Sequence, residues 1–152
     1  MTTAEMRMRR SAHRRVGSAG IATALVASIV GCSHSPGEKA KKGLESLHSW
    51  AVSTQMVGER WLQRAVPDPY VGKTLDSFGR KMRKQRTKIA SGTLPADVKR
   101  YLISGFDSTA LAAESLRVRV ESGERGDVAR IVSGLSARAQ SADSVKARLN
   151  GT

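Results

Sequence analysis

From Leu44 to Leu149 the apolar side chains return every three or four positions, and nowhere does the strict alternation of a strand compete with that rhythm. A chain patterned this way buries its apolar stripes only by laying helices against one another. Four segments carry such a stripe. In the first, from Glu38 to about Val66, the residues Leu44, Leu47, Ala51, Trp61, Leu62 and Ala65 recur at helical spacing with Thr54 and Val57 between them, and Pro67 ends the run. In the second, Asp68 offers an N-cap, Pro69 suits the first turn, and Val71, Leu75, Phe78, Met82 and Ile89 share one face. Ser91, Gly92 and Thr93 break the pattern and Pro95 reopens it. Val98, Leu102, Phe106, Thr109, Ala113, Leu116 and Val120 then form a heptad-like seam. After the two glycines of residues 122–127, Val128, Ile131, Val132, Leu135, Ala139, Ala142, Val145 and Leu149 line a fourth face.

Helices of similar length joined by loops of a few residues must turn back on their predecessors. The expected fold is therefore all-α, an antiparallel four-helix bundle, with a three-helix or domain-swapped packing as the alternative. A length of 152 residues fits about one domain. The single cysteine allows no internal disulfide, so the seam alone must stabilise the fold. Gly58, Gly79 and Gly134 fall inside predicted helices at similar depth, and Trp61 and Phe78 are expected to fill the room they leave, with a small cavity or a close helix contact as the alternative.

The amino end has a different character. Arg7, Arg9, Arg10, Arg14 and Arg15 stand against one acid, Glu5, and residues 21–30 run without a charge. Ten helical residues cover only about 15 Å, half of a hydrocarbon core, which is too short to span a membrane and suits the apolar region of a signal peptide. The paired arginines leave twin-arginine export open. The residues that follow, Ile29, Val30, Gly31 and Cys32, resemble the lipobox of bacterial lipoproteins, and the resemblance covers residues 1–32 only. It implies cleavage between Gly31 and Cys32, a diacylglyceryl thioether on Cys32 and a further acyl chain on the new amino terminus. Residues 1–31 would then be a signal peptide, 32–37 the lipidated cysteine and a polar tether, and 38–152 the helical domain. The partner so implied is the membrane of a bacterial envelope, entered through acyl chains. Ser33 after the cysteine implies the outer membrane where a cell has two.

Charge supplies a second expectation. After Gly31 the chain carries 21 basic and 12 acidic residues. In an up-down-up-down bundle the whole of the excess gathers at the end next to the tether, where Lys39, Lys41, Lys42, Arg80, Lys81, Lys84, Lys88, Lys99 and Arg100 are candidates for contact with an anionic surface. Basic residues at a helix C-terminus answer the helix dipole, but Lys39, Lys41, Lys42, Lys99 and Arg100 lie at N-termini, where the dipole disfavours them. Anionic lipid or an acidic envelope protein is the expected counterpart.

No catalytic constellation, phosphate-binding glycine loop or metal motif is present in the sequence, so the expected role is non-catalytic, as a structural, adaptor or binding module without a cofactor. Two further readings compete. His48 with Met56 or Met82 could ligate a haem inside a bundle. A pI of about 10.9 and the run from Arg80 to Lys88 would suit a cytoplasmic nucleic-acid-binding protein, against which stand the export signal and the placement of the few aromatic residues away from the basic ones.

Overall fold

The first helix starts earlier than its apolar stripe. In the computed structural model, which describes residues 35–150, Ser35 accepts a hydrogen bond from the Glu38 backbone N–H at 3.2 Å, and its own N–H donates to the Glu38 carboxylate at 3.1 Å. This reciprocal capping box opens α1 (Pro36–Leu62), so Pro36 and Gly37, read from the sequence as tether, form its first turn. The helix also stops short of Val66. Arg64 adopts a left-handed φ of 60°, its N–H donates to the Trp61 carbonyl at 2.9 Å and that of Ala65 to the Arg60 carbonyl at 2.8 Å, a Schellman ending with arginine where glycine is usual.

The same ending closes α3 (Ala96–Glu121), this time with Gly123 at a φ of 74°. A non-glycine residue in this region costs about 1 kcal/mol or more. Arg64→Gly is therefore expected to raise stability by up to about 1 kcal/mol, seen as a higher denaturant midpoint at unchanged slope. The second helix, α2 (Asp68–Ser91), takes Pro67 as its N-cap. Asp68 is thus not the cap expected from the sequence. Its carboxylate accepts the Trp61 indole N–H at 2.6 Å and ties the end of α1 to the start of α2.

With α4 (Arg125–Asn150) the four helices make a bundle, and the contacts between them fix its directions. Glu45 meets Lys146 and His48 meets Asp143, so α1 and α4 are antiparallel. Arg86 meets Asp107 and Asp76 meets Arg117, so α2 and α3 are antiparallel as well. The expected up-down-up-down order is the one observed. Phe106, Leu44, Leu75, Met82, Leu102, Leu116 and Leu135 fill the interior. Thr54 and Thr109 are also buried, each hydroxyl donating at 2.8 Å to the carbonyl one turn earlier in its own helix, so neither leaves a polar atom orphaned.

The bundle is not square in section. A Cβ built on Gly43 would lie 2.6 Å from Leu102, one on Gly105 2.5 Å from Leu47, and one on Gly58 2.6 Å from Val132 and 3.3 Å from Leu116. These contacts rise together along α1 and α3, which therefore run parallel and touch across the short diagonal, whereas α2 and α4 do not meet. The room at Gly58 is taken by Val132 and Leu116 and not by Trp61 or Phe78. Gly79 lies beside the Arg83 guanidinium, and Gly134 faces open space. Phe78 instead packs edge-on against Trp50, with ring centres 5.2 Å apart, and Trp61 lies under the Arg125 guanidinium.

Candidate anionic-surface contact face

The buried line of α2 is Val71, Leu75, Gly79, Met82 and Ile89. Lys73, Arg80 and Lys84 fall about half a turn away from it and are exposed, and Lys81 and Lys88 follow on the side towards α1. Across the seam, Lys39 and Lys42 stand on the flank of α1 that faces α2. With Lys88 they line a groove of about 300 Å³ whose apolar wall includes Ile89 and Leu94. A second hollow of about 400 Å³ lies further along the same seam, formed by Ser53, Met56, Val57, Arg60, Val66 and Tyr70 among others. Neither hollow is lined by an acid.

Two acids of these helices are turned to other seams, while Asp68 stays at the α1/α2 junction on the Trp61 indole and Glu38 caps α1. Glu45 of α1 pairs with Lys146 of α4 at 2.7 Å, and Asp76 of α2 lies 3.5 Å from Arg117 of α3. Hydrogen bonding and charge from Lys146 hold the Glu45 carboxyl below its ordinary value, and the hydrogen bond from Arg117 does the same for Glu114. Arg117 in turn is held more firmly protonated by Glu114 and Glu121, each 2.6 Å away. Among the described residues, ion pairs cross the α1/α4, α2/α3 and α3/α4 seams, and none crosses α1/α2.

Six of the nine candidate contact residues, Lys39, Lys42, Arg80, Lys81, Lys84 and Lys88, thus share one side of the bundle, and none of the six is in an ion pair among the described residues. The other three are elsewhere. Lys41 lies one turn before Glu45, on the α4 flank of α1. Lys99 donates to the Gly92 carbonyl at 3.1 Å, and Arg100 is 3.0 Å from Asp97. Sorting charges by height above the tether missed Lys73, which continues the Arg80 line seven residues earlier. Sorting by face would have found it.

His48 sits on the α4 side with its Nε2 3.3 Å from Asp143, Met56 is about half exposed and Met82 is buried in α2, so the structure does not bring the three together. Among the described residues no three His, Cys, Asp or Glu side chains form a group that could hold a metal ion. No described helix is long and apolar enough to cross a membrane. Ile29, Val30, Gly31 and Cys32 lie outside the described residues. No protein-family model, no curated protein and no solved structure matches this chain.

Proposed function

We propose that this chain is a lipid-anchored protein of the bacterial envelope, held by acyl chains on Cys32, whose bundle works without catalysis as an adaptor or binding module by setting its cationic side against an anionic surface close to the membrane. The observation that carries the reading is the row Arg80, Lys81, Lys84 and Lys88, extended across the seam by Lys39 and Lys42, with no acid paired to any of them among the described residues. Lys88 also answers the negative end of α2, but Lys39 stands at the close of the first turn of α1, where the dipole disfavours it, and Lys42 is out of reach of either end. A protein that keeps such charges together uncompensated is suited to an external anion, and each lysine or arginine near an anionic leaflet contributes about 1 kcal/mol.

The test uses a fragment from Ser33 onward, which lacks the acyl chains. It should sediment with anionic vesicles and not with neutral ones, and release in 1 M salt, where the screening length is about 3 Å. The triple change Lys81→Gln, Lys84→Gln and Lys88→Gln should lower the partition coefficient on the order of a hundredfold. Equal affinity for the two vesicle types rejects lipid as the counterpart and leaves an acidic envelope protein. A nucleic-acid partner requires residence in the cytoplasm, so cleavage after Gly31 in the native host rejects that reading.

A further inference from the structure

The geometry points to a bundle that lies on its side against an anionic phospholipid leaflet, resting on the α2 edge rolled towards α1, and does not stand on the end next to its anchor. The inference deepens the reading just given and rests on it. Arg80 lies eleven residues before the end of α2 and Lys73 eighteen, which at 1.5 Å per residue places them about 16 and about 27 Å up the helix. With a screening length of about 8 Å at physiological salt, an upright bundle leaves both outside the field of the leaflet. On its side, the same bundle brings Lys73, Arg80, Lys84 and Lys88 to the headgroups together.

The direction of roll follows from what flanks α2. The seam towards α3 carries Asp76, Asp107 and Glu114, which Arg83, Arg86 and Arg117 beside them offset, so it presents no net positive charge to a leaflet. The seam towards α1 carries Lys39, Lys42, Lys81 and Lys88 and, between the first two and Lys88, the groove with Ile89 and Leu94 in its wall. Three ammonium groups around a partly apolar groove match a headgroup phosphate with the first carbons of its glycerol below it. The tether permits this posture, because the four residue steps from Cys32 to Pro36 span at most about 14 Å fully extended.

The experiment compares two labelled forms of the acylated protein reconstituted in vesicles, Ser77→Cys and Ser133→Cys, each carrying a thiol-linked fluorophore read against a headgroup quencher. Ser77 is nine residues into α2 and Ser133 eight into α4, both counted from the end far from the tether, so the two sites have nearly the same height and lie on opposite edges. In anionic vesicles the Ser77 label should be quenched at least fivefold more than the Ser133 label. The difference should vanish in neutral vesicles and in 1 M salt, and Lys73→Gln with Arg80→Gln should reduce it at least threefold. Equal quenching in anionic vesicles overturns the inference, as does a Ser77 preference that survives in neutral vesicles or arises only when an acidic envelope protein is added. Intact mass on the same sample separates this from the anchoring reading. A chain without acyl groups fails that reading alone, and the two labels still report posture for whatever fraction the vesicles bind.

Discussion

Gly105→Leu is expected to lower the stability of the bundle by about 3 kcal/mol or more, read as a fall in denaturant midpoint. A Cβ alone at this position would come within 2.5 Å of a Leu47 methyl, and Leu47 is itself 2% exposed, so the added side chain has nowhere to go unless α1 and α3 separate. Separation would undo the contacts at Gly43 and Gly58 as well, because all three lie on the same crossing. Two controls make the expectation sharp. Gly134→Ala meets open space and should raise stability by up to about 1 kcal/mol through helix propensity alone. Leu47→Ala, costly by itself, should return part of the loss when combined with Gly105→Leu, so that the two changes are not additive. If Gly105→Leu proves no more damaging than the same change at Gly134, the close diagonal does not determine the packing.

The second large effect belongs to the anchor. Cys32→Ser, exported behind a signal peptide whose cleavage does not need acylation so that no apolar segment stays attached, is expected to lack acyl chains and to leave the membrane fraction when washed with 1 M salt. A single acyl chain binds with about 10⁴ M⁻¹ and two or three hold effectively for good, so the partition should fall by several orders of magnitude. The salt wash is needed because the cationic side can hold an unlipidated chain at low ionic strength. Persistence of the Cys32→Ser chain on washed membranes would show that something other than acyl chains attaches it.

Much of the fold was legible because the buried positions obey a single-helix rule. Val71, Leu75, Met82 and Ile89, and Val98, Leu102, Phe106, Thr109, Ala113, Leu116 and Val120, are buried as their spacing predicts. What the spacing does not carry is which facing helix supplies each neighbour. Gly43 and Gly105 carry no mark in the sequence because their significance lies in Leu102 and Leu47 on another segment, whereas Gly134 lies within a helix as Gly58 does, yet packs against nothing. The ends of α1 were misplaced for a related reason: Ser35 and Glu38 make a cap that outweighs the breaker signals of Pro36 and Gly37, and Arg64 accepts a backbone shape that its residue type does not advertise. For the candidate contact face, charge counted along the chain showed an excess at one end. Only the angular position of each residue, together with the cross-helix pairs of Lys146 and Arg86 and the pairing of Arg100 with Asp97 within α3, turns it into a side.

The short α1/α3 diagonal gives the bundle a rhombic section with α2 along one sharp edge, like the keel of a hull. A hull grounded on its keel touches along a line and can still rock. How far it tips to one flank then sets whether the groove beside Lys88 meets a headgroup or hangs above it, and a change that blunts the outline at Gly58 or Gly105 would alter that tilt from inside the bundle, whereas one at Gly43 would also reshape the groove itself.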